Sequence, residues 1–210
     1  MIYSRHQGVL FTHVSRTGGT AIVDCLRGSL PDCKSILGQH AALAEARAVL
    51  GDDFAQAFKF AFVRNPWDRF VSWFALIGQA TRTDETELAR LADPESAHWK
   101  RFDAFLEKWA AKETQIDGVR RRELSQWAQL VDAEGVLLTD DFGRFESLAE
   151  DAVRLFARAG IASLTLPKMN SSRHHHYSAY YSAFGRELVE HAFPEDVVQL
   201  GYRFAQDGHH

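Results

Sequence analysis

Residues 13–20, HVSRTGGT, place a fixed cation, two threonines and two adjacent glycines directly after the apolar run VLFT. Arg16 carries positive charge at any accessible pH, Thr17 and Thr20 bring hydroxyl donors, and Gly18 and Gly19 let the backbone approach a ligand with no Cβ in the way. A strand that passes through paired glycines into a helix gathers unpaired backbone N–H groups at the helix N-terminus, where the macrodipole also favours negative charge. The chemistry supported is the binding of a phosphate or a similar oxyanion. It is not a Walker A loop: GxxxxGKS/T, with its phosphate-clamping lysine, is absent.

A second set lies in FKFAFVRNPWDRFVSWF, residues 58–74. Arg64 follows an apolar run that reads as a central strand, and ligands of open α/β sheets bind at the carboxyl ends of such strands. Ser72 lies off the helical stripe Trp67, Phe70, Val71 and Phe74, so its hydroxyl is placed to face a ligand. One guanidinium and one hydroxyl are a suitable pair for a second phosphate. The plain structural alternative is a local Arg64–Asp68 ion pair and a serine without a ligand.

These residues need rigid elements to hold them. The run 9–14 and the run 58–63 read as buried strands, and GVLLTD (135–140) as a third. Helical spacing covers 20–30 and 41–50, the second stopping at Gly51. Asn65-Pro66 is an N-cap followed by the favoured first helical residue, so a helix starts there. Trp99, Phe102, Leu106 and Trp109 mark a further amphipathic helix, Leu124, Trp127 and Val131 another, and 146–159 a last one before Gly160 and a helical tail. Residues 79–96 read as a polar excursion. Strands alternating with helices predict a single α/β domain over 1–210, a P-loop-like three-layer fold with a central parallel sheet flanked by helices.

Bulk properties narrow the function. With 46% apolar and 25% charged residues the chain has an ordinary globular composition, and its net charge of -4 argues against a nucleic-acid binder that relies on a basic surface. No stretch reaches the roughly 18 apolar residues that span a bilayer, so no transmembrane segment is expected. The opening residues MIYSRHQG lack a secretory apolar core, and Cys25 and Cys33 form no CxxC pair, which together suit a cytoplasmic protein.

Taken together, the two anion motifs resemble those of the sulfotransferases, in the carbohydrate-type branch of that family. HVSRTGGT is similar to the family's 5′-phosphosulfate loop, usually PKTGGTS, and FAFVRNPWDRFVS resembles its 3′-phosphate motif. DFGRFESL (141–148) is similar to its RFE-containing stretch, and NSSRHHHYSAYY (170–181) with LGYRF (200–204) resembles its C-terminal region. The resemblance implies 3′-phosphoadenosine 5′-phosphosulfate (PAPS) as donor. It assigns Arg16, Thr17, Gly18, Gly19 and Thr20 to the 5′-phosphosulfate and Arg64 and Ser72 to the 3′-phosphate. Asn170, Ser171 and Arg173 form a polar loop suited to covering the nucleotide. The chain departs from the family at Arg16, where lysine is usual. Arginine keeps its charge and its forked hydrogen bonds but hardly releases a proton.

Sulfuryl transfer to a hydroxyl needs a proton acceptor, for which histidine is suited. His40 precedes the helix AALAEAR, whose dipole favours a neutral ring, and GQHAALAEAR resembles the stretch that carries the family's base. His13, just before the phosphate loop, is the second choice. Consecutive His174, His175 and His176 are poorly arranged to converge on a metal, and no metal is expected. Glu146 reads as structural, and Arg120, Arg121 and Arg122 as a solvated helix face. The expected acceptor is a hydroxyl of a carbohydrate, glycolipid or small molecule, in a pocket lined by 79–125 and the C-terminal loop. Two alternatives stand beside this reading. One is a nucleotide-binding homologue without turnover, motivated by Arg16. The other is a kinase-like enzyme whose Asp140 and Asp141 hold magnesium.

Overall fold

The computed structural model of the chain describes residues 1–80, 93–111, 115–116, 119–120, 125–161 and 175–205. The first elements are β1 (Ile2–Ser4), β2 (Val9–Thr12), α1 (Gly19–Ser29), β3 (Lys34–Ser35), α2 (Leu43–Leu50), α3 (Asp52–Gln56), β4 (Phe58–Val63) and α4 (Pro66–Ala80). Then come α5 (Phe102–Ala110), the short hairpin β5 (Gln115–Ile116) and β6 (Val119–Arg120), and β7 (Asp141–Arg144). The last are α6 (Leu148–Arg158), α7 (Ala183–Ala192) and α8 (Pro194–Val198). The chain clusters into two compact units, Met1–Arg64 with Leu124–Met169, and Asn65–Glu123 with Asn170–His210.

The first unit holds a five-stranded sheet in the order β3-β1-β2-β4-β7. β2, β4 and β7 run parallel, with Thr12 beside Ala61 and Val63 beside Arg144, so all three strands deliver their carboxyl ends to one edge. On one face Phe11, Phe60 and Phe62 pack against Ile22 and Leu26 of α1 and against Ala152, Leu155 and Phe156 of α6. The α/β architecture is the expected one, but the sheet is mixed rather than wholly parallel. β1 is antiparallel to β2, and β3 is antiparallel to β1. Residues 5–8 join β1 to β2, and a parallel crossover takes roughly a dozen residues or more.

Two expected elements are corrected. The strand expected over 135–140 is displaced to Asp141–Arg144. Val136 and Leu137 are 59% and 42% exposed, so their apolar character does not mark a sheet position. Instead Leu137 bridges back to Val131, and the Asp140 amide and carboxylate tie the segment to the Lys59 backbone before pairing begins. The helix expected over 124–131 is only a single tight turn, Trp127–Gln129. The chain there doubles back, with Leu138 N–H donating to the Leu130 carbonyl.

The second unit is helical and aromatic. α4 begins where Asn65-Pro66 predicted: Asn65 Oδ1 accepts from the amides of Trp67 at 3.0 Å and Asp68 at 3.4 Å. Its stripe of Trp67, Phe70, Val71 and Phe74 is buried. Phe70 meets Trp109 and Phe193, while Phe74 meets Trp99, Phe102 and Phe105. No helix among the described residues is long and apolar enough to cross a membrane.

Candidate active site

The loop between β2 and α1 is bent by its backbone. Arg16 and Gly18 both have positive φ, 66° and 76°, and Thr17 between them does not. Alternation of this kind turns successive N–H groups toward one side and forms an anion-binding concavity. Gly18 is the N-cap of α1, so no capping side chain occupies the helix N-terminus, and the first turn carries no acidic residue. The dipole end of α1 thus faces the loop without an internal counter-charge from that turn.

The paired glycines have separate causes. Gly18 requires the left-handed region, which glycine adopts without strain. Gly19 has an ordinary φ, but a Cβ there would lie 2.1 Å from Cδ2 of the His13 ring. The buried His13 side chain occupies the space a side chain at 19 would need. Thr17 is fully buried and its hydroxyl donates to the Val14 carbonyl at 2.8 Å. That hydroxyl proton ties the loop back to the end of the strand that precedes it. Thr20, by contrast, is exposed.

Arg64 leaves the carboxyl end of β4 and reaches the same loop. Its Nη1 donates to the Arg16 carbonyl at 3.2 Å, and its guanidinium lies 3.9 Å from the centre of the Phe145 ring. Phe145 and Leu148 also close against Gly18. The two arginines therefore meet on a floor supplied by the residues after β7. Burial lowers the pKa of Arg16, and the nearby charge of Arg64 lowers it further. The guanidinium stays protonated under all ordinary conditions. The coupling instead measures how closely two positive charges are brought together, and an anion relieves that repulsion.

Gln126 was not identified from sequence, and nothing in its local pattern would have marked it. The side chain is fully buried. Oε1 accepts from the Arg64 amide at 2.9 Å and Nε2 donates to the Arg64 carbonyl at 2.7 Å. This amide acts as one rung of a β-ladder and fixes the backbone that carries the guanidinium. Phe145 lay within a stretch singled out by resemblance, but its place beneath Arg64 follows only from the register of β4 and β7.

The two histidines expected near the reaction are neighbours. Their rings meet edge-on at 4.8 Å, and Nδ1 of His40 donates to the backbone carbonyl of His13 at 2.7 Å. His40 is half-buried and stands two residues before Ala42, the N-cap of α2. Gln39 Nε2 donates to Nδ1 of His13 at 3.2 Å. Burial, aided by His40 and the Met1 ammonium, lowers the His13 pKa to about 4. A base that weak is far from the neutral range that suits general base work.

The remaining expected residues fall elsewhere. Ser72 lies on α4 in the second unit, half-buried and off the apolar stripe. Asn170, Ser171 and Arg173 lie outside the described residues, as do Arg121 and Arg122. Asp140 and Asp141, the carboxylates of the kinase-like alternative, are already engaged. Asp140 pairs with Lys59 at 2.8 Å, and Asp141 pairs with Arg154 and Arg158. That leaves the magnesium reading without its ligands.

Neither the curated proteins nor the solved structures contain a match to this chain. A family model does match, over residues 1–203, which takes in the glycine loop, both arginines and the two histidines. By that match the chain belongs to the Sulfotransferase family.

Proposed function

We propose that this member of the family transfers a sulfuryl group from PAPS to a hydroxyl of a carbohydrate or glycoconjugate. The observation that carries the reading is the meeting of Arg16 and Arg64 over a left-handed glycine loop at the sheet's carboxyl edge. PAPS supplies the activated sulfuryl group when bound. The amides of residues 16–20 and the Arg16 guanidinium hold its 5′-phosphosulfate and stabilise negative charge as it grows there. Arg64 and the Ser72 hydroxyl hold the 3′-phosphate. His40 accepts the hydroxyl proton at Nε2, because its Nδ1 proton is engaged by the His13 carbonyl.

A second reading, nucleotide binding without turnover, is favoured by Arg16 alone, since arginine stands where the resembling loop carries lysine. The leaving phosphate is a stable anion, so a fixed positive charge suffices without proton donation. The test begins with thermal denaturation in the presence of adenosine 3′,5′-bisphosphate, 5′-AMP or ATP. The bisphosphate at about 100 times its dissociation constant adds about 2.7 kcal/mol of stability, and the others add much less. Equal stabilisation by 5′-AMP removes the 3′-phosphate role from Arg64 and Ser72. Tight bisphosphate binding with no transfer to any acceptor selects the second reading.

A further inference from the structure

His13 is 5% exposed, and the surroundings of its two ring nitrogens differ. Nδ1 accepts from Gln39 Nε2 at 3.2 Å. A neutral imidazole with its lone pair at Nδ1 carries its proton at Nε2, so Nε2 is a hydrogen-bond donor. Burial keeps the ring neutral by holding its pKa at about 4. Among the described residues the ring's hydrogen bond is the one from Gln39, and no acceptor meets Nε2. An N–H without an acceptor at such burial is unfavourable and calls for a reason.

Gly19 shows where that N–H sits. A Cβ there would lie 2.1 Å from Cδ2 and 2.4 Å from Nε2 of His13, so this edge of the ring rests on the first residue of α1. His13 and Thr20 also line one groove beside that turn. The helix has no capping side chain and no acid in its first turn. A neutral N–H therefore stands at the positive end of α1, where backbone amides and dipole together favour an anion. Positive charge is already crowded at this loop, since Arg64 reaches the Arg16 carbonyl and its charge lowers the Arg16 pKa. A neutral histidine adds a hydrogen bond for an anion without adding a third cation.

We propose that His13 is a further binding residue of the phosphosulfate site, its neutral Nε2–H donating to an oxygen of the phosphate held at the N-terminus of α1. The geometry calls for an anionic oxygen; naming it as the nucleotide's 5′-phosphate rests on the sulfotransferase reading above. His13 is then not a second base, because a protonated Nε2 has no lone pair to take the acceptor's proton. The two histidines divide the work: His40 presents a lone pair at Nε2, and His13 presents a proton. The His13 carbonyl holds the Nδ1 proton of His40. One residue thus serves the phosphate through its ring and orients the base through its backbone.

Imidazole ¹⁵N NMR of the histidine-labelled full chain reads tautomer and hydrogen bond together, with the His13 signals assigned by their absence from His13→Gln. In the ligand-free protein at neutral pH the proton is expected at Nε2. Adenosine 3′,5′-bisphosphate, 5′-AMP and inorganic phosphate should each move that proton downfield in a saturable way, and 3′-AMP should not. His13→Phe keeps a ring against Gly19 but offers no N–H, and it should bind the bisphosphate about tenfold or more weakly. His13→Gln, whose amide offers an N–H, should recover most of that affinity, whereas a pure packing role would rank the two variants the other way. Should His13→Phe fail to fold, the spectra of the parent decide alone. The proposal is overturned by a proton at Nδ1, by an Nε2–H signal unmoved at saturating bisphosphate, by a response to 3′-AMP in place of 5′-AMP, or by parental affinity in His13→Phe. A saturable response to inorganic phosphate without bisphosphate binding sinks the sulfotransferase reading and keeps His13 as an anion ligand. Bisphosphate binding with a silent His13 does the reverse.

Discussion

Nδ1 of His40 lies 2.7 Å from the backbone carbonyl oxygen of His13. A carbonyl oxygen only accepts, so Nδ1 carries the proton, and in the neutral ring the lone pair belongs to Nε2. The carbonyl that sets this tautomer sits directly before the glycine loop, and it couples the orientation of His40 to the end of the strand that leads into that loop.

His40→Ala is expected to lose roughly 10²-fold or more in turnover, with bisphosphate affinity and melting temperature close to parental. Single-turnover transfer to an identified acceptor measures it. Parental rates in this variant would remove His40 from the chemistry.

His13 makes stability depend on pH. Its folded pKa of about 4 lies below the ordinary histidine value, so between about pH 6.5 and 4 the unfolded chain binds more protons than the folded one. The contribution is fully present above that window and is lost as pH falls through it, about 3 kcal/mol in all. Parallel melts of parent and His13→Gln from pH 7.5 to 4.5 isolate the term. An identical pH slope in the two proteins would contradict a buried, neutral His13.

Gly19→Ala places a methyl on the His13 ring. It should destabilise the fold by about 1–3 kcal/mol, as overpacking does, and weaken bisphosphate binding by displacing the loop. Combining it with His13→Ala restores much of the loss, because the clash needs both side chains. Chemical denaturation of the double-mutant cycle gives the coupling. Simple additivity would show that the glycine is needed for another reason.

Gln126→Ala removes both hydrogen bonds to the Arg64 backbone. The expected cost is about 1–3 kcal/mol, since buried groups are left unsatisfied, accompanied by a several-fold weaker bisphosphate complex. Gln129→Ala is the control. Gln129 is also buried, but its Nε2 donates to the Ser125 carbonyl, so it should destabilise without altering nucleotide affinity. Equal effects on affinity in calorimetry would reduce Gln126 to a general packing role.

Local pattern was a sound guide where a residue and its neighbours settle the conformation. The strand over 58–63 and the start of α4 at Asn65-Pro66 follow from an apolar run and an N-cap, and both occur where expected. The same logic misplaced the third strand. GVLLTD is more apolar than DFGR, yet DFGR pairs with β4, because the Asp140 contacts with Lys59 set where pairing begins. The antiparallel β1 was missed because three residues, IYS, carry too little pattern to be distinguished from a loop.

Short-range sterics read from the sequence already fix a glycine turn between a strand and a helix after Arg16. Tertiary structure decided how the loop is used. Arg16 and Arg64 are 48 residues apart and meet because β2 and β4 are parallel and in register. His13 and His40 are 27 residues apart, and only their packing makes one a deeply depressed, neutral ring and gives the other an Nδ1 proton and an Nε2 lone pair. Gln126 reaches the Arg64 backbone across 62 residues. Turn chemistry and periodicity act over a few residues, whereas burial, charge coupling and tautomer depend on whichever distant side chains the register of the sheet brings alongside.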